Sequence, residues 1–182
     1  MNWKNTPDRY GSLTIAIHWL MLLLFIALYG VIELHELFEK GSAPREALKT
    51  WHFMLGLLVF VLVWLRIAAR FSGPTPTIQP EPFAWQQLSA KLMHLALYAL
   101  MIAMPIIGWL LLSASGKSIP FFGLELPALI GENKDLAKQI KELHEFFGTA
   151  GYFLIGLHTV AALYHHHVKH DDTLTRMLPE RK

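Results

Sequence analysis

Residues 142–158 read ELHEFFGTAGYFLIGLH. Two histidines, His144 and His158, bracket a run that is otherwise almost wholly apolar or small. An imidazole carries two ring nitrogens that need partners, and it titrates near pH ~6.5. An apolar segment that holds two such rings therefore has to supply something for them to bind. Fourteen residues rise about 21 Å in an α-helix and fall about 40° short of four full turns. On a helix the two rings share nearly one face, one toward each side of a bilayer.

Composition puts that helix in a membrane. The chain has 182 residues, 53% hydrophobic and 16% charged, where soluble domains average about 25% charged. Its mean hydropathy is +0.35. Four stretches are long and apolar enough to cross a bilayer, which takes about 20 helical residues. They are Leu13–Ile32, His52–Ala68, Leu92–Ser113 and Phe146–Tyr164, with no Asp or Glu inside them. In lipid only helices and closed barrels satisfy their own backbone, and barrel strands are shorter and alternate. The fold expected is all-α, an integral membrane four-helix bundle. Residues 1–182 would form a single membrane domain with spans at about 13–32, 52–68, 92–113 and 146–164.

The first stretch reads as a retained helix. Its apolar run exceeds a signal-peptide core, and no small-residue cleavage site follows it. Pro105 falls inside the third stretch, where neighbouring helices can re-satisfy the freed carbonyl. The linkers are Glu33–Trp51, Arg70–Lys91 and Ala114–Glu145. The second contains GPTPTIQPEPF and is expected to be extended. The third holds an amphipathic NKDLAKQIKELHEFF that runs into the fourth span. With both termini inside, nine Lys and Arg lie inside against seven outside. That modest bias favours cytoplasmic termini.

Absence of cysteine excludes disulfides, thiolate metal sites and thiol nucleophiles. A net charge of +2 gives no reason to expect nucleic acid. The loops are short and offer no partner-binding domain, so no obligate protein partner is expected.

Partners for the two histidines follow from depth. His18 lies about as far from the inner surface as His158, and His52 opens the second helix on the side where the fourth begins at His144. The depths pair His18 with His158 and His52 with His144. Two imidazoles facing across a bundle can sandwich a haem iron. A zinc site would need further ligands. Gly56, Gly148, Gly151 and Gly156 remove bulk near the pairs, as a large apolar disc requires. The alternative is a set of hydrogen-bonded interhelical histidines without a cofactor.

Four stretches carry a wider likeness. They are SLTIAIHWL (12–20), TWHFMLGLLVFVLVWLRIAARF (50–71), AKLMHLALYALMIAMPIIGWLLLSASGKSIPFFG (90–123) and ELHEFFGTAGYFLIGLHTVAALYHHHVKHDDTLTRMLP (142–179). Together they resemble the bacterial cytochrome b561 family from about Tyr10 to Pro179. Within it the similarity is to the superoxide oxidase branch, whose ending is like HHHVKHDDTLTRMLP. The resemblance implies two haems b in a bacterial inner membrane, with His18, His158, His52 and His144 as the axial iron ligands. It also implies a superoxide:ubiquinone oxidoreductase. Superoxide would give its electron to the outer haem and leave as dioxygen, and two electrons would reduce ubiquinone at the inner side.

Other residues take roles from that reading. His165 matches a histidine tied to the quinone site of the branch, where it can donate a hydrogen bond and relay protons; His166 and His167 follow it directly. His94 could bond a haem propionate or the quinone. Arg66 and Arg70 end the second span and could pair with propionates or serve as positive-inside anchors. Arg45, Lys49 and Lys117 are candidate cations for drawing in superoxide. Trp19 could pack on haem or belong to an aromatic belt. One competing reading is a diheme subunit that carries electrons from a hydrogenase or molybdoenzyme partner to quinone. Another is a cofactor-free structural or transport bundle.

Overall fold

A computed structural model describes residues 2–179. Four long helices carry the chain: α1, Ser12–Leu34; α2, Ala43–Arg70; α3, Ala84–Ala114; and α4, Lys134–Tyr164. All four are long and apolar enough to cross a membrane. The amphipathic stretch before the fourth span is continuous with α4, as its periodicity implies, and Pro105 lies within α3. The helices extend past the apolar windows, most at the starts of α2, α3 and α4. Apolarity marks where a helix meets lipid, whereas its ends are set by capping groups.

Those caps can be read in the chain. Asn133 precedes α4, and its Oδ1 accepts the Leu136 N–H at 3.0 Å, the bond that suits asparagine to an N-cap. At the end of α3, Gly116 adopts φ +64°. The Lys117 N–H then reaches back to the Leu112 carbonyl at 3.0 Å, which satisfies a carbonyl the helix leaves open. A hairpin follows, β1 (Ile119–Phe121) paired antiparallel with β2 (Leu124–Leu126). Phe122 and Gly123 at its tip both have positive φ, 45° and 88°, the geometry of a two-residue hairpin turn. The linker expected over Ala114–Glu145 thus contains a short hairpin.

Chain contacts define two compact units. The first comprises Met1–Leu20, Val63–Leu100 and Thr149–Lys182; the second comprises Met21–Leu62 and Met101–Gly148. Each helix contributes a segment to each.

The first unit buries Ile15, Ile17, Val63 and Ala69, and closes with a polar knot. Asn5 is buried; its Oδ1 accepts the Gly11 N–H and the Thr14 hydroxyl, each at 2.9 Å, and its amide donates to the Arg70 carbonyl at 3.2 Å. Buried Arg176 donates to the Pro76 carbonyl at 2.6 Å and pairs with Asp172 at 3.3 Å. Trp19 donates its indole N–H to the Met177 carbonyl at 2.7 Å, so it ties α1 to the chain's last described turn.

The second unit packs Leu57, Leu112 and Ile119 at its centre, with Phe53, Trp109, Phe121 and Leu126 around them. Large apolar side chains elsewhere face outward. Leu23 and Ile26 of α1 are 63% and 61% exposed, and Phe153 and Val160 of α4 are 74% and 61% exposed. Unpaired faces of this kind match lipid rather than water.

Candidate functional site

Four half-buried histidines project from the spanning helices, and the structure brings them together in two pairs. In the first unit His18 of α1 and His158 of α4 have ring centroids 6.3 Å apart and planes at 78°. In the second unit His52 of α2 and His144 of α4 stand 6.2 Å apart at 80°. A bond from a first-row metal to imidazole nitrogen is about 2.0 Å, and a five-membered ring's centre lies roughly 1.1 Å behind its nitrogen, so two rings on opposite sides of one metal put their centres about 6.2 Å apart. Both pairs have the separation that a single shared metal requires. Among the described residues no group of three or more His, Cys, Asp or Glu could hold a metal ion. A cofactor that brings its own equatorial nitrogens and needs only two axial ligands fits this donor set, whereas a tetrahedral zinc site does not.

The surroundings of the two pairs differ. His52 points Nδ1 at the Leu28 carbonyl, 3.2 Å away. A carbonyl only accepts, so the ring proton sits on Nδ1 and Nε2 keeps its lone pair for a metal. His144 is pressed against α3 at Gly108, where an added Cβ would lie 3.3 Å from the ring's Cε1. Its Nδ1 is buried and has no hydrogen-bond partner among the described residues. The Tyr29 hydroxyl donates to the Gly148 carbonyl at 3.0 Å on the same helix. The sequence reading singled out Gly56 and Gly148 near this pair; a Cβ on either would make only ordinary contact, with Leu28 and Met104 respectively. Gly108, outside that set, sits against a candidate ligand.

The first pair has charged and titratable company. An Arg66 guanidinium nitrogen sits 3.0 Å from His18 Nδ1, and the guanidinium lies 5.9 Å from the centre of the Tyr98 ring. The second terminal nitrogen of Arg66 is buried and has no hydrogen-bond partner among the described residues. His94 of α3 is exposed, and its ring lies 5.7 Å from that of His158. Thus His18, His158, His94 and Arg66 form one cluster. A Cβ on Gly156, one helical neighbourhood from His158, would meet nothing within 4 Å.

His165 lies just past α4. The helix widens there into a π turn over His165–Lys169, and His170 follows with φ 54° in the left-handed region. That reversal brings Asp171 back on His165. His165 Nδ1 lies 2.5 Å from Asp171 Oδ2, and the Asp171 N–H donates to the His165 carbonyl at 3.2 Å. Asp171 is buried, and its Oδ1 accepts the Thr173 N–H at 2.9 Å. Burial alone would raise its carboxyl pKa, but the bonds from His165 and Thr173 outweigh it and hold the carboxyl below its ordinary 3.8. His166 and His167 contact each other at 4.7 Å between centroids, the first half-buried and the second exposed. Asp171 escaped the sequence reading. Its only signal was a polar DD pair next to a histidine run, which solvated helix ends commonly carry.

Among the cation candidates Arg45 alone is overturned. Arg45 is buried, not a free surface charge. It donates to the carbonyls of His35 and Phe38 at 3.1 and 2.8 Å, and it grips both Glu36 oxygens at 3.0 and 2.9 Å. Its side chain clamps the turn between α1 and α2, because a buried guanidinium must find acceptors close by. Lys49 is paired with Glu46 at 2.7 Å. Lys117 borders a cavity of about 330 Å³ that Glu125 and Glu132 also line.

Long apolar helices with histidine pairs spaced for one metal define a class, the helical membrane cytochromes that move electrons through haem. The chain belongs to the prokaryotic cytochrome b561 family, whose model matches residues 9–180. It is 38% identical to cytochrome b561 homolog 1 of Escherichia coli strain K12 over 175 residues, 96% of this chain and 99% of the relative. It is 41% identical to "Probable superoxide oxidase CybB" of Yersinia pestis over 177 residues, 96% and 98% of the two chains. Cytochrome b561 homolog 2 of the same E. coli strain is 31% identical over 179 residues, 98% and 95%. The family implies haem b and electron transfer in a membrane, and four spanning helices in a bacterial cytochrome fit an inner-membrane protein.

Proposed function

We propose that the chain is a superoxide:ubiquinone oxidoreductase of the bacterial inner membrane, with two haems b and both termini cytoplasmic. The observation that carries this reading is the pair of facing imidazole couples at 6.3 and 6.2 Å. The likeness to a probable superoxide oxidase at 41% identity supports the choice of reaction. Two superoxide anions lose one electron each and leave as dioxygen; one ubiquinone gains both electrons and two protons. Bound between the histidines, two haems would carry those electrons from one substrate to the other.

The protein's own residues bind, orient and move protons. His18 with His158, and His52 with His144, would hold the two haems, which when bound would supply one-electron transfer. The Leu28 carbonyl accepts from His52 Nδ1–H and leaves Nε2 as the nitrogen that would hold a haem. At His18 an arginine only donates, so the contact with Arg66 is a bond only while Nδ1 accepts. With a metal on Nε2 the ring proton belongs on Nδ1, and Arg66 must turn to another acceptor. Haem propionates are acidic and bidentate, which suits a guanidinium with one nitrogen already unpartnered. His94 stands beside His158 as a second donor for such a group or for the quinone. His165 donates to the quinone oxygen and passes it a proton. No protein partner is required in this scheme.

The test is direct. Purified protein given superoxide should show reduced b-type absorption bands, two porphyrins per chain, and steady turnover only when a quinone is added. A colourless protein, or one haem per chain, defeats the reading. Haems that superoxide cannot reduce, while a partner dehydrogenase can, would assign the chain to the subunit class instead.

A further inference from the structure

We propose that Asp171 is a positioning residue for the proton step at the quinone, acting through His165. This rests on the reading of His165 as the group that meets the quinone.

The geometry is specific. The π turn and the left-handed His170 bend the chain so that Asp171 and His165 bond twice, once through side chains at 2.5 Å and once through backbone at 3.2 Å. The carboxylate cannot swing away easily. Its second oxygen holds the Thr173 N–H, and the next residue, Asp172, is tied to the 74–80 linker. Asp172 Oδ1 accepts the Gln79 N–H at 2.9 Å, the Asp172 N–H donates to the Gln79 carbonyl at 3.1 Å, and Arg176 pairs with Asp172 at 3.3 Å. Asp171 is 6% exposed, so solvent does not compete for its oxygens. A loop anchored on a neighbouring linker is therefore built to hold one carboxylate against one imidazole nitrogen.

The chemical consequence concerns the ring's other nitrogen. A carboxylate on Nδ1 keeps a proton there, which leaves Nε2 as the atom that gives and takes one. When the quinone gains electrons from superoxide, the Nε2–H bond breaks and an O–H bond forms on a quinone oxygen. The N–H electron pair stays on Nε2, and water at the half-buried ring supplies the next proton. The ring needs no rotation and no tautomer change between turnovers, because Nδ1 stays bonded throughout. In D171N the amide can still accept from Thr173 N–H but presents N–H to His165. The ring must then accept at Nδ1 and carry its proton on Nε2. It still donates a hydrogen bond to quinone, yet it cannot hold protons on both nitrogens beside an N–H donor. Binding is kept and proton delivery is lost.

The experiment uses the reduced holoprotein in detergent, labelled with 15N-histidine, and a short-chain ubiquinone with superoxide as donor. In wild type a proton on His165 Nδ1 should appear downfield of ordinary imidazole protons and vanish in H165Q; its absence from wild type overturns the proposal without any reliance on a variant folding. In D171N, loaded with haem to the wild-type level, that resonance should go and the proton should move to Nε2. The quinone kcat should fall at least about tenfold, as loss of general acid catalysis does, with KM changed less than about threefold. A wild-type kcat in D171N overturns the proposal. So does a KM that rises with kcat unchanged, since that would mean a binding role. Normal quinone turnover in H165Q, with the downfield proton present in wild type, would remove His165 from the quinone step. The reaction role of Asp171 would fall with it, while the bonded pair itself would stand.

Discussion

The two histidine pairs have the same ring separation and nearly the same crossing angle, and almost nothing else in common. His52 and His144 meet mainly backbone, glycine and Phe53, with His35 and Glu145 the titratable groups that act on them. One Nδ1 faces the Leu28 carbonyl, the other faces no partner among the described residues, and Gly108 gives the second ring its room. His18 and His158 sit among side chains that carry charge or protons, Arg66, Tyr98 and His94, and the bonded pair of His165 and Asp171 follows just past the end of α4. Nearly identical ring geometry thus sits in two environments. On the proposed reading, the first unit supplies the titratable groups that coupling electrons to protons needs, and the second supplies fewer.

The sharpest way to break this comparison is to remove a ligand. His52→Ala or His144→Ala should lose one haem of two and cut superoxide consumption at least about tenfold, more than the loss of an outer contact to a metal ligand. Absorption spectra and porphyrin content measure it, and His18→Ala should remove the other haem. If both substitutions depleted the same haem, the assignment of one haem to each pair would be wrong.

Arg66 tests the charged environment. Arg66→Gln removes a cation beside His18, which disfavours the oxidised, more positive iron in the first unit. The potential of that haem alone should drop by about 60 mV, a tenfold change in a one-electron equilibrium. Redox titration would resolve the two haems, and an equal shift in both would show that the environments are not separate.

Gly108 tests the apolar environment. In a helix Gly→Ala ordinarily gains up to about 1 kcal/mol. Here the new methyl would meet His144 at 3.3 Å, and overfilling a packed site costs about 1–3 kcal/mol. Where a metal fixes the ring, the second effect wins. Gly108→Ala should lower Tm and shift the bands of only the second unit's haem.

The smallest effect is in acid. The Asp171 carboxyl is held below its ordinary value, so its contribution to stability is complete above about pH 4 and is lost as pH falls through the folded-state value. The Tm difference between wild type and D171N should be constant near neutral pH and shrink below about pH 4. A difference that grew on acidification would contradict the sign.

Much of this was legible in one dimension. Four apolar runs dictated four spanning helices, because backbone in lipid has few other solutions. Fourteen-residue spacing put His144 and His158 near one face of α4, and depth alone matched them to His52 and His18. Those inferences hold because helix rise and bilayer thickness are near-constant lengths. What the tertiary structure decided was which polar groups meet. Arg45 could pass for a surface cation until its burial against Glu36 was seen, and Arg66 for an anchor until its contact with His18. Gly108 had no periodic signal, and Asp171 reaches His165 only through a π turn and one left-handed residue. Hydrogen bonds are decided over a few ångströms and by direction, and no spacing rule carries that precision across a chain reversal.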